Sequence, residues 1–185
     1  PFSDPMADGP ANQLAAERAL RHGTSLRQIL HLVQRLRQTV TVPLILFTYY
    51  NPIFRYGGAQ FADDARAAGV DGVLCVDLPP EEADELKQET DRADLDLIFL
   101  LAPTSSLGRA RKVLTRARGF VYYVSVTGVT GVRDSLPEDL GEMVRRIRAI
   151  SPVPVGVGFG ISSPDQAAQV ATIADGVIVG SAISR

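Results

Sequence analysis

Two glycine-ended apolar runs near the end of the chain have the composition of an anion-binding site. Residues 157–164 (VGFGISSP) have the pattern of a strand end, a Gly-Phe-Gly turn and a capped helix start. Residues 176–179 form a second apolar run, which Gly180 and Ser181 follow directly. Glycine lets an anion approach the bare backbone, and the amides at a helix N-terminus point at negative charge. The two runs therefore predict a phosphate site made largely of main-chain amides.

Few side chains in the sequence could act as a general acid or base. Asp4, Asp8 and Asp77 lie in predicted turns after strands, and Asp8 belongs to the turn PMADGP. An aspartate in such a turn can also serve only to hydrogen-bond its own backbone, so both interpretations of Asp8 stay open. Both histidines, His22 and His31, lie on predicted helices, where packing or solvated roles are expected.

One long loop could close over a ligand. Residues 126–136 (VTGVTGVRDSL) contain two Thr-Gly pairs, which suit either a mobile lid that excludes water or a flexible surface loop. No group of His, Cys and carboxylate residues has the spacing of metal ligands, so no metal is predicted.

The composition is that of one soluble globular domain. The 185 residues are 45% hydrophobic and 22% charged, which provides enough apolar material for a sizeable core. The net charge of −2 does not favour nucleic acid as a partner, and no apolar run is long enough to cross a membrane. The single cysteine, Cys75, lies in an apolar run, which predicts a buried thiol in a reducing cytoplasm.

Short apolar runs alternate with amphipathic segments along the chain. The continuous apolar character of these runs predicts strands of a parallel sheet that is covered on both faces. Strands are predicted at residues 44–48, 72–77, 95–101, 120–125, 153–158 and 176–179. Helices are predicted at residues 12–21, 26–38, 58–68, 80–91, 107–117 and 136–150, with a last helix after 163–165. We expect Ser25 to cap a helix, Gly69 to end one, and Leu14 and Leu20 to be buried.

The alternation of strands and helices predicts an α/β fold, and the glycine-rich pair selects a TIM (β/α)8 barrel. Phosphate sites built from the loops after strands 7 and 8 recur in such barrels, so the six visible strands correspond to strands 3–8. A closed barrel typically has about 250 residues and at least about 200. We therefore predict one incomplete barrel domain over residues 1–185, without strands 1–2 and the C-terminal helix. The alternative is an open doubly wound sheet, whose glycine-rich turn normally follows the first strand.

Several motifs together resemble the α subunit of tryptophan synthase. They are PFSDPMADGP at 1–10, LFTYYNPIFRYG at 46–57, VLCVDLPPEE at 73–82, VSVTGVTG at 124–131, GFGIS at 158–162 and GSAI at 180–183. The likeness runs along essentially the whole chain, and the opening motif is highly specific, whereas many phosphate-binding barrels share GFG. The resemblance implies a lyase of tryptophan biosynthesis that cleaves indole-3-glycerol phosphate to indole and glyceraldehyde 3-phosphate by a retro-aldol reaction.

The resemblance also implies roles for particular residues. Asp8 matches the family's catalytic aspartate, which holds the indole N–H and stabilises positive charge while C3 is protonated. Tyr122 matches a tyrosine near the reacting atoms, and Tyr49 matches one beside the indole pocket. Thr130 matches the lid threonine that contacts the aspartate on closure. The residues that match phosphate-holding positions are Gly131, Gly160, Gly180 and Ser181.

The resemblance implies a partner and a catalytic group that lies outside these residues. The family's general acid–base is a glutamate shortly before the PFSDP motif, and no residue of the chain obviously replaces it. The intact parent is therefore expected to be a lyase, and the 185-residue chain to be inactive or nearly so. The partner is a β subunit that carries pyridoxal phosphate and faces residues 1–10, 78–80 and 126–136. No cofactor is expected in this chain, because Lys87 and Lys112 lie on predicted helices.

Two alternatives to the lyase remain. One is another phosphate-binding barrel, an isomerase or a synthase with the same anion site. The other is a non-catalytic protein that only binds and activates a β subunit.

Overall fold

The computed structural model describes residues 1–5, 8–124, 140–158 and 160–184, and it forms two compact units. Unit 1 is Pro1–Ile98 and unit 2 is Phe99–Arg185, so that the boundary falls inside a strand. The two units are described separately below. The prediction of a single domain stays a prediction.

The described residues contain six strands, all of which pair in parallel and in chain order. They are β1 (Ile45–Thr48), β2 (Gly72–Cys75), β3 (Asp96–Leu101), β4 (Val121–Val124), β5 (Val155–Gly158) and β6 (Gly176–Ile178). Successive strands are neighbours, without the reversal of order that marks a doubly wound sheet. The predicted α/β fold is confirmed, and the open doubly wound alternative is wrong.

Unit 1 holds the helices that connect β1, β2 and the start of β3. They are α1 (Pro10–Arg21), α2 (Leu26–Leu36), α3 (Tyr50–Tyr56), α4 (Gly58–Ala68), a 3₁₀ turn (Pro80–Glu82) and α5 (Asp84–Arg92). Ser25 caps α2 in a capping box with Gln28, as its sequence position predicts. Gly69 ends α4 in the left-handed conformation, with φ of 91°.

One helix of unit 1 was not predicted, and two expectations for this unit are wrong in detail. Helix α3 follows β1 at once, although its sequence has the composition of a loop, because Pro52 in the first helical turn needs no amide partner. The helix predicted at 80–91 is broken at Ala83, where a 3₁₀ turn gives way to α5. Leu14 and Leu20 are 55% and 38% exposed, and α1 contains no buried residue.

Unit 2 contains the end of β3, strands β4–β6 and four described helices. They are α6 (Leu107–Leu114), α7 (Leu140–Arg148), α8 (Pro164–Ala171) and α9 (Ser181–Ser184). Its core includes three fully buried valines on one face of β4 and β5, namely Val121, Val155 and Val157. The opposite face of the same strands carries Tyr122 and the two glycines of β5.

An arginine–aspartate clamp fixes the entry to a strand in each unit. In unit 1, Arg37 at the end of α2 pairs with Asp71, whose carboxylate also accepts the N–H of Leu44 at 2.7 Å. In unit 2, Arg148 at the end of α7 donates to Asp175 at 2.6 Å, and Asp175 accepts the N–H of Val155 at 2.9 Å. Each aspartate directly precedes the glycine that opens the next strand. The clamps therefore tie the starts of neighbouring strands together.

Candidate active site

Asp8 lies in a tight turn immediately before helix α1. Its N–H donates to the carbonyl of Pro5 at 3.2 Å, and Gly9 then serves as the N-cap of the helix. Pro10 occupies the first helical position, where its fixed φ suits the helix and its missing N–H costs nothing. The Asp8 side chain is half-buried.

Tyr49 brings the end of strand β1 into contact with Asp8. The residue directly follows β1 and is the N-cap of α3, and its side chain is only 8% exposed. Its hydroxyl donates to Oδ2 of Asp8 at 2.9 Å. The ring packs against Phe2, with ring centroids 5.0 Å apart. Two of the sequence-predicted site residues, Asp8 and Tyr49, therefore lie together within unit 1.

A cavity of about 360 Å³ lies beside this pair in unit 1. Apolar groups make up much of its wall, and Asp8 supplies its acidic side chain. A flat apolar molecule that carries one N–H donor could pack on such a wall and donate to the carboxylate. The lining includes Pro1, Asp8, Asn12, Phe47, Tyr49 and Val76.

The sequence analysis missed two residues of α1 that contact Asp8. Gln13 Nε2 donates to the main-chain carbonyl of Asp8 at 2.8 Å, and Asn12 Nδ2 lies 3.5 Å from Oδ1. Both residues belong to the first turn of a helix that starts directly after the candidate aspartate. Their position in the sequence could have identified them, because side chains in the first turn of a helix can reach back to the residue before the N-cap.

The other two carboxylates near the strand ends differ from Asp8 in their contacts. Asp77 Oδ1 accepts the N–H of Tyr50 at 2.7 Å, which satisfies an amide in the first turn of α3. Asp4 is exposed. Asp77 therefore has a structural partner at the start of a helix, whereas Asp8 faces a cavity.

In unit 2, Tyr122 lies over a glycine of the neighbouring strand. A Cβ atom on Gly158 would stand 2.7 Å from Cζ of Tyr122 and nearer still to its hydroxyl oxygen. The absence of a side chain at Gly158 thus makes room for the tyrosine ring. Burial raises the pKa of Tyr122 above its usual value, so the group stays a neutral phenol at neutral pH.

The candidate phosphate residues follow two strands that pair with each other. Gly158 of β5 is the register partner of Ile178 of β6, so Gly160 and Gly180 each come two residues after a paired position. Gly160 has φ of +56°, a conformation that favours glycine, and a Cβ on Gly180 would meet no atom within 4 Å. Ser181 opens helix α9.

The first turn of α8 already uses its own side chains as partners. Ser163 accepts the N–H of Gln166 at 3.3 Å, and the Gln166 side chain accepts the N–H of Ser162 at 2.8 Å. This capping arrangement leaves the glycine turn, rather than those two amides, as the candidate contact for an anion. Thr130 and Gly131 lie outside the described residues.

Metal-binding and nucleophilic groups do not cluster in the part of the chain that the structure describes. No group of three His, Cys, Asp or Glu residues there could hold a metal ion. Cys75 is buried, as predicted, and burial raises the pKa of its thiol to about 12. No helix among the described residues is long and apolar enough to cross a membrane.

Comparison with known proteins identifies the family. The family described as "Tryptophan synthase alpha chain" matches the sequence over residues 1–185. The chain belongs to the tryptophan synthase alpha chain family. The tryptophan synthase alpha chain of Geobacter sulfurreducens is 63% identical over 185 residues, which are 100% of this chain and 70% of that protein. Enzymes of the family are lyases that cleave indole-3-glycerol phosphate, which confirms the activity that the motifs imply.

Solved structures of tryptophan synthases have the same fold. Mycobacterium tuberculosis tryptophan synthase matches with a TM-score of 0.91 at 44% identity, over 100% of this chain and 70% of that chain. The tryptophan synthase α2β2 complex of Pyrococcus furiosus matches with a TM-score of 0.90 at 39% identity, over 100% and 75% of the two chains. The predicted incomplete TIM barrel is thereby confirmed.

Proposed function

We propose that Asp8 is the group through which this chain takes part in the cleavage of indole-3-glycerol phosphate. The contact between the Asp8 carboxylate and the Tyr49 hydroxyl, at 2.9 Å, carries the proposal. This hydrogen bond links Asp8, the aspartate of the family motif, to the end of a parallel strand. Barrel enzymes carry their catalytic residues at such strand ends. The neighbouring cavity offers an apolar wall with one anionic group.

The reaction needs negative charge at a defined place. Protonation at indole C3 puts positive charge on the ring, chiefly at the ring N–H. Loss of the proton from the glycerol hydroxyl then lets the carbon–carbon bond break, which gives indole and an aldehyde phosphate. A carboxylate that accepts the N–H stabilises the charged intermediate more than the neutral substrate, and this difference accelerates the step. Asp8 takes this role, and Tyr49 holds Oδ2 in place.

The residues of unit 2 are proposed to serve other parts of the substrate. Tyr122 supplies a neutral hydroxyl near the reacting atoms, because its raised pKa keeps it protonated. Gly160, Gly180 and Ser181 are proposed to hold the phosphate, together with Gly131. Open space at Gly180 and the positive φ of Gly160 support an approach of the anion to main-chain amides. Thr130 is proposed to contact Asp8 from the lid.

We also propose a β subunit with pyridoxal phosphate as the partner, on residues 1–10, 78–80 and 126–136. The printed description of the Pyrococcus furiosus complex supports this, since it names an α2β2 assembly.

Turnover of the full-length protein tests the assignment of Asp8. Asp8→Asn keeps the shape of the side chain but removes its charge, so kcat for indole formation should fall by about 10²–10³-fold. Asp63→Asn is the matched control, since Asp63 is an exposed aspartate of helix α4, outside the proposed site. Full turnover of the Asp8→Asn variant would remove Asp8 from the mechanism. No indole formation by the unmodified protein would overturn the proposed function itself.

A further inference from the structure

Hydrogen bonds hold Asp8 at both of its main-chain groups and at both carboxylate oxygens. Its N–H donates to Pro5, and its carbonyl accepts from Nε2 of Gln13 at 2.8 Å. Its Oδ2 accepts from Tyr49 at 2.9 Å, and its Oδ1 lies 3.5 Å from the amide of Asn12. The carboxylate contacts set the side-chain torsions, whereas the main-chain contacts set the direction of the Cα–Cβ bond.

The contact of Gln13 fixes the peptide plane that follows Asp8. A peptide unit is planar, so a hydrogen bond to its carbonyl restrains the ψ angle of the residue that carries the carbonyl. The bond from the Asp8 N–H to Pro5 restrains the preceding plane in the same way. With both planes restrained, the direction of the Cα–Cβ bond of Asp8 is restrained as well. The Gln13 bond is the shorter of the two main-chain restraints.

Helix α1 itself does not depend on the Gln13 side chain. The main-chain N–H of Gln13 donates to the Gly9 carbonyl at 3.1 Å, and Pro10 sets the first helical φ. The side chain is exposed, and α1 contains no buried residue. Removing the amide group therefore takes little from packing, while it releases the carbonyl of Asp8.

We propose that Gln13 is a positioning residue that aims the Asp8 carboxylate. This rests on the proposed function, in which Asp8 stabilises charge on the substrate. Gln13 touches neither substrate nor the reacting atoms, and it acts through the main chain of Asp8. Asn12 assists at the carboxylate, with a smaller effect because its contact is long.

The test replaces Gln13 with residues of similar length that cannot donate. In the full-length protein, Gln13→Met and Gln13→Glu should each lower kcat for indole formation by about ten- to a hundredfold, because misplacing a reacting group by 1 Å can cost that much. Binding of indolepropanol phosphate, an inert substrate mimic, should stay within about twofold, since ground-state contacts are retained. The urea midpoint of unfolding should not change. Gln34→Met, at an exposed glutamine of α2, is the matched control.

The outcomes separate the possible failures. Turnover of both Gln13 variants within about twofold of the unmodified protein would overturn the positioning role. A loss of turnover that is matched by an equal loss of mimic binding or of unfolding midpoint would also overturn it, because a structural defect moves all three. If Asp8→Asn retains full turnover, the proposed function fails first, independently of Gln13.

Discussion

The two units are alike at the amino ends of their strands and differ at the carboxyl ends. At the amino ends, unit 1 and unit 2 use the same device: an arginine at the end of a helix, and an aspartate that binds both that arginine and a strand amide. At the carboxyl ends, the described residues of the two units differ. Unit 1 presents the Asp8–Tyr49 pair, and unit 2 presents glycine turns.

We infer from this difference that the amino ends of the strands provide stability and the carboxyl ends carry the proposed chemistry. Both clamps hold the start of a strand that follows a proline-containing loop. The two units therefore use the same contacts there. We propose that the carboxyl ends contact different parts of the substrate, and their residue types differ accordingly. Such a separation of functions is expected of barrel folds.

Breaking the clamp of unit 1 should have the largest effect on stability. Asp71→Ala removes the partner of Arg37 and the acceptor of the Leu44 N–H. The free energy of unfolding should fall by about 2–3 kcal/mol, as for hydrogen bonds to charged groups. Equilibrium unfolding in urea measures it, while kcat per folded molecule should be unchanged. A loss below about 0.5 kcal/mol, the usual range for surface substitutions, would show that the clamp does not stabilise the fold.

The clamp of unit 2 should contribute less. The Arg148 side chain is 41% exposed against 21% for Arg37. Arg148 also donates to the carbonyl of Ile173, whereas Arg37 also donates to those of Gly69 and Val42. Asp175→Ala should therefore cost about 1–2 kcal/mol. A larger loss than that of Asp71→Ala would contradict the ranking.

The clamp of unit 2 also has a pH signature. The hydrogen bond from the Val155 amide, followed by the Arg148 guanidinium, lowers the pKa of Asp175 below 3.8. A group with a lowered pKa in the folded state stabilises fully above its unfolded pKa and loses that contribution as the pH falls through the folded value. The stability difference between the unmodified protein and Asp175→Ala should therefore be full at neutral pH and shrink below about pH 4.

Substitutions at the carboxyl end of unit 2 should change binding more than stability. Gly180→Ala places a methyl group in open space, without a positive φ to strain. Its stability should stay within about 0.5 kcal/mol, whereas affinity for indolepropanol phosphate should fall if the anion approaches this backbone. Gly160→Ala is a less clean test, because its φ of +56° adds strain. Isothermal titration with indolepropanol phosphate measures the affinity of both variants. Unchanged affinity in Gly180→Ala would remove that residue from the phosphate site.

A substitution beneath Tyr122 should act through that side chain rather than through the phosphate site. Gly158→Ala would push the Tyr122 ring, whose far end is the nearest group. The chain should stay folded, with a reduced kcat and a displaced Tyr122 in a crystal structure. An unmoved Tyr122 ring would show that the backbone of β5 shifts instead.

The sequence predicted the parts that depend on local pattern. All six strands lie where continuous apolar runs predicted them, and the ends differ by at most two residues where they are described. The run at 153–158 was extended too far at its start, since β5 begins only after Pro154, which has no N–H to donate. Helix α3 was missed because Tyr49, Asn51 and Pro52 have turn composition, while Asp77, distant in sequence, accepts an amide of its first turn.

The candidate site was predictable only in part. Asp8 and Tyr49 are named by a motif resemblance, but the bond between them joins residues 41 apart in sequence and needs the fold. The role of Gln13 depends on a side chain that reaches backwards, which no periodicity reveals. The space above Gly158 is likewise set by a neighbouring strand.

The most direct test compares one aspartate from each end of the strands in the same full-length protein. Asp8→Asn and Asp71→Ala are each measured for kcat of indole formation per folded molecule and for the free energy of unfolding in urea. We predict that Asp8→Asn loses at least about a hundredfold in kcat with unchanged stability. Asp71→Ala should lose about 2–3 kcal/mol of stability with unchanged kcat. Variants that lose both properties together, or that exchange these effects, would contradict the division of labour between the two ends.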